Sequence, residues 1–366
     1  MFYFTLSKLI QKEPGVIVGP IAKAMGWIID QVFNLVYPLT QRHSLGLSII
    51  ILTIIVRFLM MPLSVKSQKS MVAMQKLNPE MEAIKNKYGN TKDPELSKKM
   101  NAEIQALYAK NKVNPLSGCL PLLIQMPIFF ALTYLMNQSF LYIAKLGAIY
   151  SELAEQIAAI PNYTKVMVDI IIPHVPKDMT IDISRTPDMV KALNTLGKAE
   201  WDSVFAGLSS LASQGAMELL SHTFVLKEEI EVFFGIQLLA NAGYMFPGVL
   251  IPVITTGTMF LSSWLTQKAT PQAAKDKNQA MQQKMMMYGM PLLFGAFTIN
   301  YPAGVGIYWT ASQVFQVVQQ LFFNKKYRLG APAKAEETGS LKVRARQLLL
   351  TVKDRMGVPE KKEEHK

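Results

Sequence analysis

The chain has 366 residues, of which half are hydrophobic and only 17% are charged. Soluble domains carry about 25% charged residues, so this composition, with a mean hydropathy of +0.19, argues against an ordinary soluble enzyme. The single cysteine, Cys119, excludes an intrachain disulfide framework and a cysteine-based zinc site, and the four histidines have no metal-ligand spacing. The net charge of +12 calls for an anionic partner or a membrane.

The N-terminal segment, 1–44, contains an amphipathic stretch at 20–37. Its apolar residues at positions 21, 25, 28, 29, 32 and 36 fall on one face of a helix. The pattern predicts a helix that lies in the outer membrane interface. Lys23 and Asp30 argue against the alternative, a sixth span, because charges are costly at the centre of a bilayer.

Five later segments are apolar enough to cross a bilayer, which takes about 20 residues in a helix. None of the five contains an acidic residue, and the fourth is short. The chain is therefore predicted to be an all-α polytopic membrane protein. The five segments are 45–65, 115–136, 247–265, 285–299 and 303–323.

The charges between these segments predict the orientation of the chain. Segment 66–112 holds ten lysines and five acidic residues, and 266–284 holds four lysines and one acidic residue, whereas 141–235 holds twelve acidic and seven basic residues. Because cytoplasmic loops collect Lys and Arg, we expect the N-terminus outside and the C-terminus inside.

The segment 66–112 has the pattern of two amphipathic helices. Apolar residues recur at steps of three and four over 71–88 and 96–108, and turn signals lie between the two runs. Pro79 fits the first turn of a helix that restarts after Asn78. We expect a cytoplasmic helical hairpin, which is either a solvated spacer or a docking surface for a nascent chain, a targeting factor or lipid headgroups.

Arg57 is the one charge inside the five apolar segments. It precedes Lys66 by nine residues, or about 13 Å of helix, which places it near mid-depth. With no carboxylate in any span, its candidate neighbours are polar, among them Thr53, Gln125 and Ser312. This arrangement predicts a hydrated pocket within the bundle, and the alternative is an arginine that extends to the cytoplasmic surface.

Three stretches carry a resemblance to a known family: TIIVRFLMMPLSVKSQKSMVAMQKLNPEMEAIKNKYG at 53–89, VNPLSGCLPLLIQMPIFFALTYL at 113–135, and YPAGVGIYWTASQVFQVVQQ at 301–320. Together they resemble the YidC/Oxa/Alb membrane protein insertases, over roughly 40–140 and 232–325. The resemblance implies five transmembrane helices around a hydrophilic groove in a bacterial cell membrane. It also implies insertion of membrane proteins, alone or with the Sec translocon, without nucleotide hydrolysis or a cofactor.

The resemblance also implies a set of groove residues and partners. The expected partners are nascent membrane proteins, the ribosome, the Sec translocon, the signal recognition particle pathway and membrane lipids. No protease, kinase or hydrolase motif occurs, and no paired ionisable residues suggest a transporter. A purely structural assembly factor would not need Arg57 in a hydrated groove. The expected groove residues are Arg57, Thr53, Gln125, Phe129, Trp309, Ser312 and Gln267.

Two segments depart from the compact family pattern. Segment 141–231 is expected to be a mostly helical extracytoplasmic insertion of open role, with a helix starting at Thr186-Pro187. The tail, 324–366, is basic and has an apolar stripe, which suits either ribosomal RNA or anionic lipid; the resemblance favours the ribosome. With no large β-domain before the first span, we expect the chain to resemble the short type of Gram-positive bacteria more than the Gram-negative members.

Overall fold

The computed structural model describes residues 15–89, 93–114, 117, 120–174, 181–269, 281 and 284–327. The described part is mostly helical, which confirms the predicted fold class at that level. Four subjects of the sequence predictions lie outside the described residues. They are the first 14 residues, Cys119, most of the loop 266–284, and the basic tail beyond 327.

Helix α1, Val18–Thr40, packs along one side of the bundle against α2 and α5. Its buried face includes Met25, Ile29 and Val36, three of the six apolar positions expected on one face, together with Phe33. Trp27, on the other side, is exposed. The helix thus uses its apolar stripe to contact protein, and the remaining apolar surface faces outward.

Helix α2, Ser44–Lys76, is one continuous helix of 33 residues. At 1.5 Å per residue it is about 50 Å long, which exceeds the roughly 30 Å of a bilayer core. The helix continues unbroken past residue 65, where the predicted span ends, to Lys76, so the predicted segments 45–65 and 66–112 share one helix. Pro62, inside it, does not end it.

Membrane-spanning character is clearest in α2. Among the described residues, one helix is both long and apolar enough to cross a membrane, at Ser44–Met74, and two shorter apolar helices occur at Leu123–Asn137 and Met285–Ile299. The full set of five spans stays a prediction.

Two helices follow α2 and pack against each other as a hairpin: α3, Asn78–Tyr88, and α4, Pro94–Lys110. Pro79 lies in the first turn of α3, where its missing N–H leaves no bond unmade. The Tyr108 hydroxyl lies 3.0 Å from Met81 Sδ, and Lys87 pairs with Glu103 at 3.0 Å. Neither helix buries a residue completely, so this hairpin stands apart from the main core.

Further helices from the middle and the later part of the chain complete the bundle. Helix α14, the last helix of the described residues, packs against α12, α2 and α5, and α13 packs against α12. A hydrogen bond between the hydroxyls of Thr255 and Thr310, 2.8 Å long, links α12 to α14. The helices are α5, Leu120–Asn137; α12, Leu250–Ala269; a π-helical turn, Met285–Gly289, continuing into α13, Met290–Ile299; and α14, Ala303–Tyr327.

The insertion between α5 and α12 contains an aromatic cluster. Trp201, Phe205 and Phe224 pack with ring centroids 4.9–6.4 Å apart. Its described residues form six helices: α6, Ser139–Tyr142; α7, Ala144–Ala158; α8, Tyr163–Ile171, followed by a 3₁₀ turn at Ile172–His174; α9, Thr186–Leu193; α10, Lys198–Ser209; and α11, Gln214–Glu231.

A short β-hairpin follows α11 and was not expected in an all-α chain. Its strands are β1, Val232–Phe233, and β2, Ile236–Gln237, and they pair antiparallel. Phe234 and Gly235 both have positive φ, 50° and 80°, as a two-residue turn with the twist of the strands requires. Only two residues lie in each strand, too few to show an alternating pattern in the sequence.

Candidate functional site

Three helices bring polar side chains together inside the bundle. The Gln125 amide on α5 donates a hydrogen bond of 3.1 Å to the Tyr308 hydroxyl on α14. Tyr308 is completely buried and Gln125 is 8% exposed. Arg57 on α2 lies close enough to Tyr308 to interact with it electrostatically. Tyr308 therefore links α14 to α5 at this polar cluster, with Arg57 of α2 nearby.

Arg57 has unmet bonding capacity at this cluster. Its side chain is half-buried, and its buried Nε has no hydrogen-bond partner within the described protein. No ion pair joins it to a carboxylate of the described residues. A guanidinium offers five N–H donors, and a buried cation without a partner is costly. This site is suited to water or to a transient acceptor.

Two hydroxyls flank the cluster. Thr53 lies one turn before Arg57, fully buried, and its Oγ1 donates to the carbonyl of Ile49 at 2.6 Å. That bond uses the hydroxyl proton within its own helix. Thr53 therefore contributes to the packing around the cluster more than to its hydrogen bonding. Ser312 lies one turn after Tyr308 with 1% exposure, and its hydroxyl is near that of Tyr308 without the geometry of a hydrogen bond.

An aromatic cluster adjoins the polar one on the next residue of α14. The Trp309 ring stacks on Phe294 with a centroid distance of 4.5 Å and meets the edge of Phe129 at 5.5 Å. Phe129 also packs against Tyr301 at 5.2 Å. The Trp309 indole N–H points at Met259 Sδ, 3.2 Å away. These contacts join α5, α12, α13 and α14, so the predicted residues Phe129 and Trp309 do touch each other.

Gln267 lies away from both clusters. It is half-buried near the end of α12, eight residues beyond Met259, or about 12 Å along the helix. Six of the seven predicted site residues therefore lie in or beside the two clusters. Gln267 lies further along α12, away from both.

Four residues of the clusters were missed by the sequence reasoning. The signal for Tyr308 was present, because it lies four residues before Ser312 and so on the same helix face. Phe294 and Met259 gave no signal, since an apolar residue in an apolar span looks the same whether it faces the site or not. The four are Tyr308, Met259, Phe294 and Tyr301.

The opposite face of α14 borders a separate apolar trough of about 610 Å³ between α2 and α12. Val314 and Val318 line it, and the hairpin residues Phe233 and Phe234 close one end. None of the seven predicted residues lines this trough. Helix α14 thus has a polar side and an apolar side that serve different surroundings.

No metal site accompanies these clusters in the part of the chain that the structure describes. No three His, Cys, Asp or Glu side chains lie close enough there to hold an ion. The chemistry available is that of one cation, several neutral hydrogen-bonding groups and aromatic rings. These groups can attract an anionic group, hold water molecules and bind apolar side chains. They do not include a nucleophile with an activating base.

Comparison with known proteins gives consistent relatives. The chain is 27% identical over 305 residues to the membrane protein insertase YidC of Syntrophobacter fumaroxidans, covering 83% of this chain and 38% of that protein. It is 26% identical over 301 residues to the membrane protein insertase YidC of Oceanobacillus iheyensis, covering 82% and 81%. The membrane protein insertase YidC 2 of Bacillus anthracis is 27% identical over 313 residues, with 83% of each chain covered.

A family match covers most of the chain. The model of the 60Kd inner membrane protein family matches residues 35–181 and 203–330. The matched ranges include the helices that carry Arg57, Gln125 and Trp309, and the unmatched residues between them lie in the insertion. The chain therefore belongs to the 60Kd inner membrane protein family, which confirms the resemblance to the YidC/Oxa/Alb insertases.

Proposed function

We propose that this protein inserts membrane proteins into the bilayer and helps them fold, through a hydrated intramembrane groove lined by its polar cluster. The relatives reported above are named membrane protein insertases. The observation that carries the proposal is Arg57, a half-buried cation beside Tyr308 that has no carboxylate partner among the described residues. A permanent structural charge would be paired, whereas a charge that receives passing segments is left open.

The physical mechanism follows from these groups. A polar segment of a substrate faces a shorter apolar path if it first enters a hydrated pocket part-way into the bilayer. Arg57 attracts acidic residues of that segment. The substrate's apolar helix then moves against α5 and α14, which are held together there by the contact between Phe129 and Trp309. Burial of its apolar surface, at about 25 cal/mol per Å², and the membrane potential acting on acidic residues drive release into lipid.

The proposal includes an orientation and partners. The N-terminus and the 141–231 insertion lie outside, and the Lys-rich segment 66–112 and the C-terminus lie in the cytoplasm, because positive loops stay inside. Ribosomes would then meet the cytoplasmic side of the molecule, and the signal recognition particle pathway and the Sec translocon are further proposed partners. The basic tail, 324–366, is the candidate for ribosome or lipid contact.

The test is insertion by the purified protein in liposomes. A single-span substrate with an acidic N-terminal segment is added, and protease protection measures its insertion. Arg57→Ala and Arg57→Glu should lower insertion about tenfold or more, which corresponds to ~1.4 kcal/mol. Arg57→Lys should retain most of it, because the positive charge remains.

The matched control is Arg42→Ala, which removes an exposed arginine just before the same helix. It should insert the substrate like the wild type. Equal loss with Lys and Ala at position 57 would defeat the charge argument, and failure of the folded wild-type protein to insert any substrate would defeat the proposed function itself.

A further inference from the structure

Unsatisfied polar atoms concentrate on two helices. Within the part of the chain that the structure describes, six buried side-chain atoms lack a hydrogen-bond partner, and four of them are on α2 and α14. Two of the four, Arg57 Nε and Ser312 Oγ, belong to the polar cluster already described. The other two, Gln68 Oε1 and Gln319 Nε2, lie further along the same two helices, toward the helical hairpin.

These atoms lie along two facing helix sides. Gln68 follows Arg57 by eleven residues, close to three turns, so both are on one side of α2, about 16 Å apart along its axis. Ser312 and Gln319 are seven residues apart and share a side of α14, with Gln316 between them. The two sides meet where the side-chain amide nitrogen of Gln68 donates a hydrogen bond of 3.3 Å to the side-chain oxygen Oε1 of Gln320. We call this row of neutral amides, at positions 68, 316, 319 and 320, the amide lane.

The amide lane offers one free acceptor and one free donor. Gln68 uses its N–H to reach Gln320, which leaves the Gln68 Oε1 unpaired. Gln320 in turn donates to Asn324 at 2.8 Å, which fixes the orientation of both amides. Gln319 keeps its amide nitrogen unpaired. A peptide group carries the complementary pair, an N–H and a C=O.

We propose that the amide lane binds the backbone of the polar segment of a substrate chain, as it passes between the hairpin end of α2 and Arg57. This inference rests on the proposed function and adds a recognition site to it. Backbone groups are common to all sequences, so the amide lane would hold polar segments regardless of their side chains. Arg57, by contrast, favours acidic ones.

The composition of the two helices argues against a cationic occupant. Neither α2 nor α14 contains Asp or Glu, so a cationic ligand finds no partner in the amide lane. The trough on the other side of α14 is lined almost entirely by apolar side chains, such as Val318, and suits apolar material. A half-satisfied polar row is costly to keep in a bundle, which fits a row completed by a passing chain.

The test is disulfide crosslinking in liposomes during insertion. The background is the full chain with Cys119→Ser, checked to insert the substrate. Gln319→Cys probes the amide lane, and Val318→Cys, its neighbour on the trough side, is the matched control. The substrate is stalled part-way, with single cysteines placed in its polar segment or in its apolar span.

Position 319 should crosslink to the polar segment at least about fivefold more than position 318, and the yield should persist when that segment is changed from acidic to neutral residues. Equal yields at 318 and 319, or crosslinks from 319 only to the apolar span, would overturn the inference while insertion by the background protein kept the proposed function intact. Loss of crosslinking with neutral segments would show recognition of charge and not of backbone.

A second measurement avoids dependence on cysteine geometry. The double variant Gln68→Leu, Gln319→Leu keeps side-chain volume and removes both free groups. It should slow insertion of acidic and neutral polar segments by a similar factor, whereas Arg57→Ala slows the acidic one selectively. Unchanged insertion of both substrates by the folded double variant would refute the amide lane.

Discussion

Lys227 illustrates how a single charge is accommodated in the interior of this protein. Its side chain is 1% exposed, and its ammonium pairs with Glu228 at 3.1 Å and Glu231 at 2.9 Å. Glu231 also accepts a hydrogen bond of 2.7 Å from the Tyr150 hydroxyl. The ammonium further lies over the Trp201 ring at 5.5 Å. Every charge here has a fixed partner, in contrast to Arg57 in the bundle.

This buried cluster predicts a loss of stability at alkaline pH. Burial lowers the pKa of Lys227, but Glu231 and Glu228 outweigh it, so the pKa is raised above 10.5. Burial, with the nearby Glu231, raises the pKa of Tyr150 well above 10.0. Groups whose pKa is raised in the folded state stabilise it fully below their unfolded pKa and lose that contribution as pH rises through the folded value. The free energy of unfolding should therefore fall above about pH 10.

Thermal unfolding between pH 8 and pH 11.5, followed by the fluorescence of buried Trp201, measures this effect. A double variant with Tyr150→Phe and Lys227→Met removes both titrating groups and should flatten the alkaline decline. The argument fails if the variant and the wild type lose stability in parallel over that range.

At the scale of elements, local signals decided where the exposed helices begin. Asp93 accepts a hydrogen bond of 2.9 Å from the Glu95 N–H at the start of α4, and Pro94 follows it in the first turn. Pro79 has the same place in α3. These residues act within one turn of the chain, so the sequence was sufficient to locate them. The unbroken run of α2 to Lys76 depended on no such signal.

The helix cap at Asp93 gives a second prediction. Asp93→Ala should destabilise the α3–α4 hairpin by about 1 kcal/mol, because a backbone donor in the first turn loses its partner. Asp93→Asn should restore most of this, since its side-chain oxygen caps equally well. Hydrogen exchange of the amides at 95–97 provides the measurement, with α11 as an internal reference. An Asn variant as labile as the Ala variant would contradict the capping role.

At the scale of the whole molecule, one of the contacts that fix the insertion to the bundle lies at the start of α2. Arg42 pairs with Glu229 at 2.8 Å, and the His43 ring nitrogen lies 2.7 Å from the Val232 carbonyl oxygen. The His43 ring also stacks on Phe234, with centroids 5.3 Å apart. The β-hairpin and the start of α2 therefore form one unit, and the insertion is held at the end of α2 that is opposite the α3–α4 hairpin.

This arrangement predicts which parts a membrane-impermeant reagent can reach. With Cys119→Ser as background, Ser210→Cys in the insertion should react with an impermeant maleimide in intact cells. Lys99→Cys in the hairpin should react only after the membrane is permeabilised. Both positions are exposed, so a difference reports sidedness and not burial. Labelling of both in intact cells, or the reverse order, would refute the proposed orientation.

The amino-acid sequence predicted the helical class and, with the family resemblance, six of the ten residues that form the polar and aromatic clusters. It could do so because apolar runs, caps and prolines act locally, and because a lone arginine in an apolar run is conspicuous. Tertiary structure alone decided that Tyr308 joins Gln125 to the neighbourhood of Arg57, and that Gln267 lies elsewhere.

The short β-hairpin and the two sides of α14 were likewise decided by packing. The strands are too short to show a period, and their turn depends on backbone angles that Phe234 does not favour by itself. The polar side of α14 contacts α2 and α5, while its apolar side borders the trough. Sequence spacing shows that both sides exist, but only the crossing of three helices determines what each side touches.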